Sequence, residues 1–389
     1  MRSRCSRPVQ LCALAVCAAA VCYGRAVHLL FLSPQQGRDD GAVRHGTAAG
    51  TLSHGHTAYI YPVADPERCG QDATRGRSVL EWAAANGAAI HPHVRVSFVA
   101  SGGAVELQER QIAAAGHIDR GEPLLSVPAS LHMSLTALQV HRTLADVHAS
   151  VEALDSSLFG LVFLLLSEAS DVNSFWRPYL CSLPRRPPLP LLMDTEELGI
   201  ARGRLPEHQR STFDSLLTSQ RHRVDAFCQK VVAGLVSQFP GRFRKSDYSQ
   251  AHVKWAMAII FSRAFPSKRN SSSSGDEDPD SWPGTGGIHA LTPGADMPNH
   301  EAASLPMQQL LDDSVVLRAS RRLRPGDPVT ISYGRKCNAF FLAQYGFIPD
   351  GNAQVACRDD QTVRNSETFL SLFSRLDPIL PQNATMSGK

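Results

Sequence analysis

The sequence has neither the cysteine pairs of a zinc site nor the dense basic stripe of a nucleic-acid-binding surface. None of its 9 cysteines stands in a C-x-x-C pair, and no cysteine–histidine group has the spacing of zinc ligands. Charged residues make up only 19% of the chain and the net charge is +3, so no polyelectrolyte partner is indicated. We therefore expect no metal ion and no nucleic acid among the ligands of this protein.

The cysteines also lack the even number and regular spacing of a disulfide framework. The first four lie close to the N-terminus, at Cys5, Cys12, Cys17 and Cys22. The others are scattered along the body of the chain, at Cys69, Cys181, Cys228, Cys337 and Cys357. Because this second group is odd in number and irregular in spacing, the sequence predicts free thiols in the body.

Residues 1–75 are predicted to be a targeting leader followed by an unstructured linker, outside the fold. Three arginines precede an apolar run over 11–23, and small residues near Ala20 and Gly24 suit cleavage of a secretory signal. An uncleaved signal anchor that continues through 26–32 is a second possibility, although Arg25 inside that span favours cleavage. A two-part leader for a plastid-type organelle reached through the secretory pathway is a third. The localisation therefore stays open, and membrane contact is expected only through an uncleaved leader.

The spacing of apolar residues changes twice along the body of the chain. Residues 76–150 are β-rich, with an alternating strand over 94–99. Residues 151–265 predict an all-helical insertion, because apolar residues of 206–239 recur mostly at three- and four-residue steps. An apolar run over 158–166 is too short to cross a membrane and predicts a buried helix. Three aromatic residues of this insertion are assigned to the core: Phe175, Trp176 and Tyr179.

The rest of the chain predicts a second β-rich part. Residues 266–287 are rich in Ser, Asp, Gly and Pro, which predicts a disordered surface loop. Residues 288–351 contain further strands, and 352–389 form a short C-terminal tail. The predicted fold class is α+β: a β-rich domain split by an all-helical insertion, with a short C-terminal tail.

Two polar clusters lie in this second β-rich part. One is Asp296-Met297-Pro298-Asn299-His300, and the other is Tyr333-Gly334 with the residues that follow. The intervening residues predict strands over 314–319 and 329–333, joined by a turn at 324–327. We expect this hairpin-like unit to bring the two clusters together.

The order of these parts and motifs resembles the SET-domain methyltransferases. It is most similar to the class with a split SET domain that includes Rubisco large-subunit lysine methyltransferase. The resemblance covers roughly 82–351. Its most specific parts are Ser174 to Leu180 with Leu183-Pro184, Ser262 to Phe265, Asp296 to His300, Tyr333-Gly334 with Asn338, and Tyr345 to Phe347.

The resemblance implies S-adenosylmethionine as the cofactor and assigns residues to it. Asn299 and His300 would meet the adenine edge through backbone groups, and the Asn299 side chain would meet the amino-acid end. Arg263, at the end of a predicted helix, would clamp the carboxylate. Asp296 either contacts the cofactor or bonds neighbouring backbone N–H groups. Phe347 either stacks on adenine or packs in the core.

A departure from the family lies at the first cofactor loop. The stretch Glu109-Arg110-Gln111 stands where the family usually has Gly-Arg-Gly, so the resemblance implies that these three residues bind the cofactor. Glycine permits a positive φ and a close backbone approach, and neither glycine is present here. Gly102 and Gly103 would supply the turn if the strands shifted in register.

Tyr333 is the catalytic candidate that the resemblance implies. Its hydroxyl, with a ring of carbonyls, would hold an amine next to the methyl group. The implied function is that of an S-adenosylmethionine-dependent protein N-methyltransferase, and the apolar residues Phe265 and Ala295 favour lysine as the acceptor. The expected partner is a protein that offers a lysine or histidine side chain. Three alternatives stay open: a histidine-methylating relative, a catalytically weak SET-like binding module, and a membrane-anchored lumenal protein with a glycan at Asn383.

Overall fold

The computed structural model describes residues 61–64, 66–69, 72–100, 108–267, 288–305, 308–309, 314–352 and 357. Its helices are α1 (Asp72–Ala85), α2 (Leu135–Gln139), α3 (Ala145–Ser150), α4 (Ser157–Ser170), α5 (Arg177–Ser182), α6 (Thr195–Gly203), α7 (Glu207–Ala226), α8 (Ala233–Gln238), α9 (Gln250–Arg263) and α10 (Asn338–Tyr345). Its strands are β1 (Ala89–Ile90), β2 (Val94–Ala100), β3 (Gln108–Ala114), β4 (Pro123–Val127), β5 (Met133–Ser134), β6 (Phe265–Ser267), β7 (Ile288–Leu291), β8 (Asn299–His300), β9 (Gln308–Gln309), β10 (Val315–Arg318) and β11 (Thr330–Ile331).

The strands form several small sheets. The largest has the order β1-β4-β10-β9, and a second has the order β5-β7-β6. Strands β2 and β3 form an antiparallel pair, whereas β8 and β11 form a parallel pair. The chain thus combines many helices with small, mostly antiparallel sheets, and the α+β fold class is confirmed.

Helices α4 to α9 follow one another in the chain with no described strand between them. Almost every residue of α4 is buried, as the apolar run over 158–166 predicts. A π-helical stretch over Phe227–Val232 joins α7 to α8. Helix α9 begins at Gln250, where the Ser249 hydroxyl accepts the N–H of His252. It ends at Arg263, and Phe265 already belongs to β6.

The N-terminal boundary of the fold lies earlier than the sequence predicts. The prediction that residues 1–75 lie outside the fold is wrong for its last part. Val63 is buried, Ala64 N–H donates to the carbonyl of Ala169, and the ring of Tyr61 packs edge-on against Trp255. The sequence did not reveal that this segment belongs to the fold, because its apolar contacts are with helices that are distant in the chain rather than with its own neighbours.

The prediction of free thiols in the body is also wrong. Cys69 is bonded to Cys181, across a sequence separation of 112 residues, and Cys337 is bonded to Cys357. Among the described residues only Cys228 is a free cysteine. Spacing along the chain could not show these pairs, because tertiary folding alone brings each pair within bonding distance.

The predicted hairpin-like unit is replaced by a different connection. Strand β10 pairs with β4 and β9, whereas β11 pairs in parallel with β8, so that Thr330 lies opposite Asn299 and Ile331 opposite His300. The two polar clusters therefore meet through direct strand pairing. The turn at Arg324 is present, and the Asp327 carboxylate accepts the N–H of Arg324 there.

Several predictions concern residues outside the described ones. These are the leader over 1–60, the glycines Gly102 and Gly103, the greater part of the predicted loop, the tail beyond 357 and the sequon at Asn383. Pro266 and Ser267, which the sequence placed in the loop, lie in β6. No helix in the described part of the chain has the length and hydrophobicity of a membrane span.

Candidate active site

The site lies where the end of α9, the turn after β7 and the β8–β11 pair come together. Helix α9 delivers Arg263, the turn delivers Asp296, and the residues after β11 deliver Tyr333. Gly294 in the turn has a φ of 86°, and a Cβ there would lie 3.1 Å from Leu80 Cδ2. The turn therefore needs glycine for its backbone conformation.

Tyr333 is fixed at two points by the cluster that contains His300. Its backbone N–H donates to His300 Nδ1 at 3.1 Å, and its hydroxyl donates to the carbonyl of Pro298 at 2.9 Å. Burial raises the pKa of Tyr333 to about 12; the Arg263 charge opposes this rise and the Asp296 charge adds to it. The hydroxyl therefore stays protonated at neutral pH and acts as a hydrogen-bond donor rather than as a base.

The His300 ring is part of an aromatic cluster. Its centroid lies 5.2 Å from Tyr333, 4.9 Å from Phe341 and 6.3 Å from Phe347. Burial is the main cause that lowers the pKa of His300; the backbone hydrogen bond with Ile331 and the Glu301 charge oppose it, and the Lys336 charge adds a smaller lowering. The ring is therefore neutral at neutral pH, as an Nδ1 acceptor must be.

Helix α10 supplies the other side of this cluster. Phe341 and Tyr345 project from it, and the Tyr345 ring lies 4.8 Å from that of Tyr333. The helix ends at Gly346 with a φ of 82°, where a Cβ would lie 1.9 Å from the carbonyl oxygen of Pro188. Only glycine fits this left-handed position. Gly346 thus allows Phe347 to turn back onto the cluster.

Arg263 and Asp296 form the polar end of the site. Arg263 Nη1 donates to the Asp296 backbone carbonyl at 3.0 Å and lies 3.4 Å from Asp296 Oδ2. The Asp296 side chain is fully buried, and its Oδ1 has no hydrogen-bond partner among the described residues. A buried carboxylate oxygen without a donor is costly in an isolated protein, so this atom suits a cationic ligand.

The remaining predicted cofactor residues divide into two groups. Asn299 lies at the site, and its exposed side chain makes no hydrogen bond within the described ranges. Glu109, Arg110 and Gln111 lie instead inside β3, paired residue by residue with β2, and Gln111 Nε2 donates to the hydroxyl of Ser97 at 3.2 Å. These three residues therefore form a strand rather than the expected loop.

Sequence reasoning missed Tyr179, which it assigned to the core. Tyr179 is buried in α5, as predicted, but its hydroxyl donates to Asp296 Oδ2 at 2.8 Å. The sequence did offer a signal for this contact, because the hydroxyl of a tyrosine in a buried helix usually has a hydrogen-bond partner. Phe175 was also assigned to the core, yet it is 47% exposed and makes a T-shaped ring contact with Trp82.

A metal centre has no basis in the described part of the chain. No group of three or more His, Cys, Asp or Glu side chains is placed there to hold an ion. The donors and acceptors of the site are instead a guanidinium, a carboxylate, a tyrosine hydroxyl and backbone carbonyls. Such a set suits an organic ligand that carries both a carboxylate and an amine.

Comparison with known proteins gives no matching family model. The actin-histidine N-methyltransferases of dog and human are 26% and 25% identical over 298 residues, which is 76% of this chain and 46% of each relative. The chain thus spans about half the length of the curated relatives it matches.

Solved structures with the same fold include two of LSMT. The SET domain of LSMT bound to lysine and AdoHcy has a TM-score of 0.53 and 22% identity, and covers 72% of this chain and 58% of that chain. Rubisco LSMT bound to AdoMet has a TM-score of 0.52 and 20% identity, with 71% and 57% covered. The described part of this chain therefore has the fold of a SET domain of the LSMT type.

Proposed function

We propose that this protein transfers a methyl group from S-adenosylmethionine to a nitrogen atom of a protein side chain, and that lysine is the acceptor. The observation that carries the proposal is the arrangement of Tyr333, Pro298, Asp296 and Arg263 around one site. The Tyr333 hydroxyl lies 2.9 Å from the Pro298 carbonyl, and Arg263 binds the backbone of Asp296 in the same segment.

The residues of the site fit the amino-acid end of the cofactor. Only Nη1 of Arg263 is used within the described part of the protein, so its remaining N–H groups suit a carboxylate. The unpartnered Asp296 Oδ1 suits an ammonium group, and the exposed side chain of Asn299 is available to either group. S-adenosylmethionine, when bound, supplies a methyl group on a cationic sulfur.

The chain's own task is to orient the acceptor and exclude water. The Pro298 carbonyl accepts an amine N–H, and the Tyr333 oxygen is 2.9 Å away as a second polar contact. The aromatic cluster around His300 makes this region apolar, which lowers the pKa of a lysine amine and favours its neutral, nucleophilic form. Orientation of this kind contributes about 7–11 kcal/mol to rate enhancement in favourable cases.

Two apolar residues support lysine as the acceptor. Ala295 is fully buried beside Asp296, and Phe265 follows Arg263 by two residues and packs against the core. Neither offers a hydrogen bond to the second nitrogen of an imidazole, whereas an alkyl amine has no such requirement. Histidine is the second candidate acceptor, because the curated relatives that match by sequence methylate histidine in actin.

The experiment combines cofactor binding with transfer. Calorimetry with S-adenosylmethionine measures Kd, and mass spectrometry of lysine-containing and histidine-containing peptide libraries detects the added methyl group. We expect binding, and mass increases on lysine. No heat of binding at millimolar cofactor would exclude the enzyme, and transfer confined to histidine would exclude the lysine assignment.

Tyr333→Phe separates an enzyme from a binding module. We expect kcat to fall about a hundredfold, as when one positioned polar group is lost from a transition state, with Kd for the cofactor nearly unchanged. Tyr248→Phe is the matched control, because Tyr248 is also buried but its hydroxyl is hydrogen-bonded to Ser167 at 2.8 Å. Equal kcat for wild type and Tyr333→Phe would contradict the role of the hydroxyl.

A further inference from the structure

The hydroxyl of Tyr179 makes a long-range contact with the candidate active site. Tyr179 is 1% exposed and lies in α5, and its hydroxyl reaches Asp296 Oδ2 across 117 positions of sequence. A buried tyrosine hydroxyl usually needs a partner. Here that partner is the only carboxylate among the predicted site residues that lies at the polar end of the site.

Tyr179 supplies the short hydrogen bond to this carboxylate. The Tyr179 bond is 2.8 Å long, whereas Arg263 Nη1 lies 3.4 Å from the same oxygen. A hydroxyl that donates to an ionised carboxylate forms one of the stronger hydrogen bonds in proteins. Because the Asp296 side chain is fully buried, its rotation about the Cβ–Cγ bond is governed by this contact more than by the longer one.

The orientation of Asp296 in turn affects Arg263. The Arg263 guanidinium contacts both the backbone carbonyl and the carboxylate of Asp296, at 3.0 Å and 3.4 Å. Both contacts are made by Nη1, which leaves the other N–H groups of the planar guanidinium for a ligand. If the carboxylate turned away, only the backbone contact would remain, and the guanidinium would be free to rotate.

We propose that Tyr179 is a positioning residue that acts through Asp296 to hold Arg263 in the orientation that binds the carboxylate of the cofactor. This role rests on the proposed function, since it needs a cofactor with a carboxylate. The competing role for Tyr179 is purely structural: a tie between α5 and the turn after β7. The two roles differ in what they predict for cofactor affinity.

Tyr179→Phe tests the difference, with Tyr248→Phe as the matched control. Both changes remove one buried hydroxyl that has a 2.8 Å hydrogen bond, to Asp296 in the first case and to Ser167 in the second. We expect Tyr179→Phe to weaken S-adenosylmethionine binding about tenfold, which corresponds to about 1.4 kcal/mol. We expect Tyr248→Phe to leave Kd unchanged, and kcat at saturating cofactor to change little in either variant.

Urea unfolding without cofactor shows whether an affinity change is only a folding defect. The positioning role predicts that Tyr179→Phe and Tyr248→Phe lose similar stability and differ in Kd. Asp296→Asn gives an independent measurement, because its amide oxygen still accepts from Tyr179 while the charge that faces Arg263 is gone. We expect weaker cofactor binding by this variant with a native-like unfolding midpoint.

A double-mutant cycle establishes whether Tyr179 acts through Asp296. In an Asp296→Ala background, which lacks the carboxylate through which Tyr179 would act, we expect Tyr179→Phe to have no further effect on Kd. The same tenfold loss in both backgrounds, or equal Kd for wild type and Tyr179→Phe, would overturn the positioning role alone. Absence of binding by the wild-type protein would overturn the proposed function and this role with it.

Discussion

The two disulfides permit a quantitative test, because they close loops of very different length. We consider the paired replacements Cys69→Ser with Cys181→Ser, and Cys337→Ser with Cys357→Ser. The first disulfide spans a sequence separation of 112 residues and the second a separation of 20 residues. If cross-links stabilise the folded state mainly by restricting the unfolded chain, the longer loop contributes more.

The chain-entropy relation gives the expected magnitudes. For the 112-residue separation it yields about 4.8 kcal/mol at 25 °C, and for the 20-residue separation about 3.3 kcal/mol. We therefore expect the first pair of replacements to lower the free energy of unfolding by about 1.5 kcal/mol more than the second. Cys337 of the second pair is the N-cap of α10, so we expect its replacement to disturb the candidate site as well as to lower the free energy of unfolding.

The assay has a chemical part and a thermodynamic part. Alkylation of the unfolded, unreduced protein should label Cys228 and leave the four bonded cysteines unlabelled until a reductant is added. Urea unfolding of the oxidised wild type and of each paired variant then gives the two losses. Labelling of all five body cysteines without reductant would refute the pairing itself. A larger loss for the shorter loop would refute the entropic reasoning.

Two further predictions concern the elements around the site. Gly346→Ala should destabilise the protein more than Gly326→Ala: both glycines have a positive φ, but only at Gly346 would a Cβ meet a backbone atom, the Pro188 oxygen at 1.9 Å. The φ strain costs ~1–2 kcal/mol and overpacking adds ~1–3 kcal/mol; equal urea midpoints would contradict this. Stability should also fall as pH drops below 6.5, the ordinary pKa of histidine, because His300 has a lowered pKa when folded and the unfolded chain takes up the proton first. His300→Asn should reduce this pH slope, and an unchanged slope would show that other groups cause it.

Periodicity predicted the helical part well because its packing is local in sequence. The apolar residues of α4 and α7 recur on one stretch of chain, so their burial follows from spacing alone. The N-cap of α9 is Ser249, although Ser246 and Asp247, a few positions earlier, are residue types that cap helices equally well. Serines so close together compete as caps, and tertiary contacts decide between them.

The features that sequence reasoning missed all depend on partners that are distant in the chain. Strand β11 pairs with β8 rather than β10, Cys69 pairs with Cys181, and Tyr179 bonds Asp296. None of these contacts produces a periodicity or a residue spacing that can be recognised in the sequence. Motif order placed Arg263, Asp296, His300 and Tyr333 in one candidate site, and these four residues lie close together in the structure; their roles stay a prediction.

The helical part contributes two polar side chains directly to the candidate site. Tyr179 comes from α5 and Arg263 from the last turn of α9, and both converge on Asp296 from the second β-rich part. Buried glutamines link the same parts: Gln344 in α10 donates to the carbonyl of Phe261 in α9, and Gln220 in α7 donates to that of Ala343. A substitution that destabilises α9 should therefore have two effects. It should weaken cofactor binding through Arg263, and it should disturb the aromatic cluster through α10.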